Sequence, residues 1–197
     1  MCVCVCVCVC VPVLTARVGQ ESNIKDRRKK LQRLIELNLE LKRLNNLHAV
    51  AAISAGINTA AIHRMKFTSQ IDKKIRDAEA DLETLMAPDY SYKNYRAAIH
   101  SINPPCVPFI GVYLRDLVFI EDGNPDNDEK GLINLQKRRL VATVIEEITQ
   151  YQNEKYSFSM QEPVTAFVSY LPVATDETCY ELSLQREPRG CTEKDLK

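Results

Sequence analysis

Val118 and Asp122 are the pair in this chain whose types and spacing most invite a chemical reading. Four residues apart on a helix, they put a small apolar side chain and a carboxylate one above the other on a single face. Glu121 adds a second acid beside them. In the last turn of a helix such acids oppose the macrodipole at roughly 0.3 to 1 kcal/mol each, and a broken local rule points toward function. The chemistry on offer is contact with a partner rather than bond-making. Pattern alone favours a plainer reading, an ordinary core helix with a frayed acidic end.

Covalent chemistry has little support elsewhere. The six glycines form no GxxxxGKS/T or GxGxxG run that would cradle a phosphate. His48, His63 and His100 make no HExxH or comparable zinc pattern, and no Gly-x-Ser-x-Gly elbow is present. Cys106, Cys179 and Cys191 show neither metal-ligand nor disulfide spacing, so a reduced, cytoplasmic protein without metal or cofactor is expected. Zero formal net charge over 197 residues argues against nucleic acid or an anionic membrane as the main partner. The basic run Lys25 to Arg33 is the local exception, read as the solvated face of a helix with Leu31, Leu34, Ile35 and Leu41 behind it.

The element that must position Val118 and Asp122 begins after Pro104 and Pro105 break whatever precedes it. Pro108 suits a first helical position, Phe109 to Asp122 continues as a short helix, Gly123 ends it and Pro125 keeps it from continuing. Apolar residues cover most of its circumference, so it is either buried all round or offers a second face to a partner. A polar loop to Gly131 leads into an amphipathic helix from Leu132 to Asn153, with Leu140, Val141, Val144, Ile145, Ile148 and Tyr151 inward. So short a connection predicts an antiparallel hairpin. Lys137, Arg138 and Arg139 near its tip read equally well as solvated charge or as cations holding acids of the hairpin.

Upstream, Asn23 caps a helix from Ile24 to about Leu44, and Leu47 to Ala55 forms a second helix apolar enough to be buried. Ser69 is expected to cap the next, with Ile71, Ile75, Ala78, Leu82 and Leu85 as its buried stripe, and Asp89 or Ser91 opens another. Glu162 to Leu171 and Asp176 to Leu184 are the last two. Apart from the opening repeat, only Tyr156 to Met160 hints at a strand, so the fold class is all-α.

The run Asn103-Pro-Pro-Cys-Val-Pro-Phe109, with Tyr113-Leu114 and Glu121-Asp122-Gly123-Asn124-Pro125, resembles the catalytic domain of Ras guanine-nucleotide exchange factors of the Son-of-sevenless type. Further blocks agree in order: Leu44-Asn45-Asn46, Ala55-Gly56-Ile57-Asn58 with Arg64, Leu132-Ile133-Asn134, Lys137-Arg138-Arg139, Gln150-Tyr151-Gln152-Asn153, and Glu187-Pro188-Arg189. The resemblance spans about Ile24 to Gly190. It implies an irregular helical bundle with a protruding antiparallel hairpin that pries switch I of a Ras-family small GTPase from its nucleotide. Val118 would stand where magnesium sat and Asp122 near the phosphate site, an apolar group that cannot ligate a hard cation and a carboxylate that repels phosphate. Relatives commonly carry a longer carboxylate and a larger apolar residue at these positions. The resemblance also implies a GTPase-binding surface of Asn58, His63, Arg64, Phe109, Ile110, Leu114, Arg115, Glu121 and Asn124. A membrane would be met only indirectly, at its inner face, through the lipidated GTPase. Family domains include helices upstream of anything matched here, so a truncated, non-catalytic GTPase-binding protein is the alternative expectation.

Residues 1–19 open with alternating Cys and Val, a low-complexity stretch expected to be disordered. If extended, its five cysteines would face one way and could take a soft metal or an acyl chain. In-frame reading of a TG dinucleotide repeat also yields Cys-Val, which makes a gene-model artefact the simpler account. It is too short to span a bilayer and lacks a basic secretory n-region. Residues 20–190 are expected to be the C-terminal part of the exchange-factor domain, and residues 191–197 a frayed tail.

Overall fold

The computed structural model describes residues 13–127, 129–171 and 174–196. Among them are helices, two isolated bridges and no β-strand, so the protein is all-α. The hint of a strand at Tyr156 to Met160 is not realised. Phe158 and Met160 are both exposed there, and no second strand pairs with them. The Cys-Val repeat through residue 12 lies outside the described residues. The expectation of disorder through residue 19 is corrected for residues 13–19, which are helical and bury Val13, Ala16 and Val18.

Helix α1 (Ile24–Arg43) begins at Asn23, whose side chain accepts from Lys25 and Asp26 amides. α2 (Leu47–Ile57) is capped by Asn46 and is buried along nearly its whole length. The small residues Ala51, Ala52, Ser54 and Gly56 let α1 approach closely, and Asn38 Nδ2 donates to Ser54 Oγ at 2.9 Å across the contact. A single turn, α3 (Ala60–His63), follows. α4 (Lys73–Met86) starts at Asp72, not Ser69. The Asp72 carboxylate accepts from the Lys74 amide at 2.8 Å, while the Ser69 hydroxyl turns back to Met65 O. Leu82 is the fully buried member of its stripe.

Helices α5 (Asp89–Ile99), α6 (Ile110–Gly123) and α7 (Leu135–Gln150) carry the second half of the body. α8 (Glu162–Ser169) and α9 (Asp176–Arg186) complete the chain, with a last 3-10 turn at Glu193–Asp195.

The two larger apolar clusters among the described residues hold most of the body together. One joins Val18, Leu31, Ile35, Ile53, Ile57 and Met65 from the helix at 13–19, α1, α2 and the turn after α3. The other joins Leu47, Tyr95, Ile99, Cys106, Val112 and Tyr151, and it seats the base of α6 and the end of α7. α2 contributes to both, which makes it the axle of the bundle.

Candidate functional site

The base of α6 is plugged into the second cluster. Val112 and Tyr113 are its buried residues, and the Phe109 amide at the helix start donates to Tyr95 Oη at 2.8 Å. Burial pushes the Tyr113 phenol up to about 12, so both tyrosines serve there as neutral hydrogen-bonding groups at ordinary pH. Beyond this base the helix leaves the body. Leu114, Val118 and Phe119 are 47%, 56% and 61% exposed. The mostly apolar circumference read from the sequence is therefore explained by exposure on a second face, not by burial all round.

α7 runs back along α6. Its first turn meets the end of α6, where Lys137 reaches Glu121, while Tyr151 just past its end packs with Val112 near the start of α6. The two helices are thus an antiparallel hairpin, as the short connection predicts. Its loop is closed by Asn134, which donates from its amide to Asp126 O at 2.8 Å and from Nδ2 to Pro125 O at 2.9 Å. Lys137 and Arg138 do hold hairpin acids: both pair with Asp126, and Lys137 also pairs with Glu121. Glu121, followed by Asp126, holds the ammonium of Lys137 above its ordinary value, and Lys137 in turn is the main reason the Asp126 carboxyl lies below its own. Asp122 is exposed and makes no ion pair with a described residue.

Leu114, Val118 and Asp122 stand at intervals of four, one row up the free face of α6. Arg115 lies beside that row, its guanidinium 5.1 Å from the Tyr92 ring centre and 5.6 Å from that of Phe119. Its Nε is buried with no hydrogen-bond partner among the described residues. Tyr92 belongs to a left-handed first turn of α5, with φ of 48°, 60° and 61° at Tyr90, Ser91 and Tyr92. L residues adopt this conformation at a cost of roughly 1 to 2 kcal/mol each. Asn124, half-buried at the tip, donates from Nδ2 to Ile120 O at 2.9 Å and so finishes the helix. Ile110 is half-buried at the base.

Asn58 and His63, exposed at the ends of α2 and α3, share two adjoining depressions of about 440 and 500 Å³. Phe109 and Tyr92 line the second, so these residues and the base of the hairpin form one surface. Arg64 does not join them. Its guanidinium donates to Ser183 O at 2.6 Å and Glu187 O at 2.8 Å, tying α3 to the end of α9. Sequence reasoning did not single out Glu83, which lines both depressions, or Arg96, whose bond to Asp116 braces α6. No local pattern marks either of them, because their roles arise from helices that meet only in three dimensions.

A profile of the RasGEF domain matches residues 3–139, more than half of the chain. The chain belongs to the RasGEF domain family. Ras guanine nucleotide exchange factor K of Dictyostelium discoideum is 40% identical over 179 residues, covering 90% of this chain and 12% of that protein. Ras guanine nucleotide exchange factor R of the same organism is 40% identical over 178 residues, 89% of this chain and 10% of the relative. Ras-specific guanine nucleotide-releasing factor 1 of Rattus norvegicus is 39% identical over 148 residues, 74% of this chain and 12% of the relative. The chain thus spans about an eighth of the length of the curated relatives it matches. The profile ends within the first turns of α7, so in this RasGEF chain the matched region includes α6 and its acidic tip. No helix among the described residues is long and apolar enough to cross a membrane.

Proposed function

We propose that this chain is a guanine-nucleotide exchange factor for a Ras-family small GTPase, promoting GDP release by inserting the α6–α7 hairpin into the nucleotide site. The observation that carries the reading is an apolar helix buried only at its base and tipped by an exposed carboxylate, in a member of the RasGEF family. Leu114, Val118 and Phe119, each about half exposed, forgo burial worth roughly 1 kcal/mol each, which a bound partner would recover.

Exchange involves no bond chemistry. The factor binds the nucleotide-free GTPase better than the loaded one, and linkage requires that nucleotide then binds more weakly by the same factor. Each tenfold in release rate takes about 1.4 kcal/mol from the barrier, and that energy comes from differential contact with the two states. In this reading Asn58, His63, Phe109 and Ile110 dock the GTPase at the hairpin base, with Leu114, Arg115 and Asn124 along its length, while Glu121 pairs with Lys137 inside the hairpin. Val118 displaces magnesium and Asp122 repels phosphate. Arg64, although on the docking segment, acts by holding that segment to α9. A membrane is reached through the lipidated GTPase.

The test is release of a fluorescent GDP analogue from a panel of Ras, Rap and Ral proteins. The chain should speed release from at least one, and Asp122→Ala or Val118→Ala should slow it again. No acceleration on any member overturns the reading. Tight binding to nucleotide-free GTPase without a rate change would instead make the chain a non-catalytic binder.

A further inference from the structure

We propose that Lys137 is a positioning residue for exchange: by spending all its donors on its neighbours in the hairpin tip, it braces the last turn of α6 and leaves Asp122 as the carboxylate presented to the GTPase. The inference rests on the exchange reading above.

Lys137 is 1% exposed, among the largest fully buried side chains of the protein, although it sits on a hairpin whose apolar residues are largely open. Its ammonium meets Glu121 Oε1 at 2.9 Å, Asp126 Oδ1 at 3.0 Å and the backbone oxygen of Glu121 at 3.3 Å. An ammonium has three donors, and here three acceptors take them. The Glu121 carbonyl is one of the last in α6, where no further amide of the helix can reach it, and a cation at that end is favoured by the macrodipole. Arg138 occupies the same Asp126 oxygen at 2.8 Å. Lys137 and Arg138 are thus committed to Glu121 and Asp126, and neither pairs with Asp122. Without Lys137, the carboxylates would repel one another at the negative end of a helix, and its last turn would fray. The same geometry gives Glu121 an internal role, as a strut and not a docking residue.

Steady-state release of fluorescent GDP from the responding GTPase, using the full chain, tests this. Lys137→Met should lower kcat by about tenfold while KM stays within about twofold, the pattern of an interaction felt only in the transition state. Adding Asp122→Ala to Lys137→Met should cost less than about twofold more, because residues acting as a unit are not additive. Glu121→Ala, which leaves Lys137 its other acceptors and a folded tip, should lower kcat in the wild-type background and do nothing in Lys137→Met. Unchanged kcat in Lys137→Met overturns the proposal, as does a full Asp122→Ala effect in that background or a Glu121→Ala effect confined to KM. Hydrogen exchange of the free protein separates the brace from the activity. Amides 120–124 should lose protection in Lys137→Met. If the wild-type chain speeds no release, the exchange reading fails, and amide protection decides the brace: lost protection upholds it and unchanged protection overturns it.

Discussion

Arg96 Nη2 lies 2.7 and 2.8 Å from the two carboxylate oxygens of Asp116, joining α5 to the outgoing part of α6. The side chains are 30% and 23% exposed, so the pair is only partly screened by water. Arg96 Nε also donates to Ser91 O at 2.8 Å, which anchors the left-handed turn carrying Tyr92. One cation thus fixes the hairpin to the wall that it leans on. Asp116→Asn should cost about 1 kcal/mol, as expected for a charge-assisted bond at a partly exposed site. Thermal unfolding should then shift down by about 2 to 4 °C. The exchanged pair Arg96→Asp with Asp116→Arg should recover part of that loss.

Glu187 supports the other end of the molecule. Its carboxylate accepts from the Phe67 amide at 3.0 Å, the Thr68 amide at 2.7 Å and the Thr68 hydroxyl at 2.6 Å, with Arg27 Nη2 at 3.7 Å. Arg27 and Glu187 are both nearly sealed from water, and burial draws the guanidinium below its ordinary value while Glu187 opposes that shift. Breaking such a pair from one side leaves an uncompensated buried charge, at about 3 to 5 kcal/mol. Glu187→Ala should lower the urea midpoint accordingly with an unchanged slope. Because this carboxylate also holds the turn after α3, the loss should reach His63.

Part of this architecture is legible in the sequence because it is local. Asn23 announces its helix by a side chain that reaches the amides two and three residues on. α6 is bounded by its proline and glycine, and the length of the loop after it sets the hairpin. Asp72 was open to misreading, because Ser69 three residues earlier satisfies the same rule and only the observed turn decides between them. Glu187 and Thr68 are 119 residues apart in sequence, and no period or spacing joins them. Asp122 is exposed in the structure, but in the sequence its neighbour Glu121 is an acid like it. Only the position of Lys137 one helix later distinguishes Glu121, which pairs with it, from Asp122, which does not.

Glu79 on α4 gives the protein a pH response. Burial, with repulsion from Glu83 four residues on and partial relief from Arg76, raises its carboxyl from 4.5 to about 6. The unfolded chain loses this proton first, so the stabilisation is full below about 4.5 and disappears as pH rises through about 6. After allowance for solvent screening, the change is about 1 kcal/mol. Unfolding free energy measured between about pH 4 and 7.5 should fall by roughly that amount from this group, and Glu79→Gln should remove this share of the slope. His63 and Lys66 line the same depression, so the comparison is made with both intact.

Val118 separates the two readings that its sequence left open, a core helix or a free face. Were it packed inside the bundle, Val118→Asp would bury an unpaired carboxylate and cost several kcal/mol. At 56% exposure on a helix whose own base carries the burial, the same change should leave stability within about 0.5 kcal/mol. Exchange should respond quite differently. A second carboxylate one turn below Asp122 would be carried to the place proposed to receive an apolar side chain, where it could coordinate magnesium instead of displacing it. Fluorescent GDP release should slow by tenfold or more, on the order of 1.4 kcal/mol of lost barrier reduction, in a variant whose unfolding curve overlays that of the wild type. A drop in stability that matches the drop in rate would return Val118 to the core.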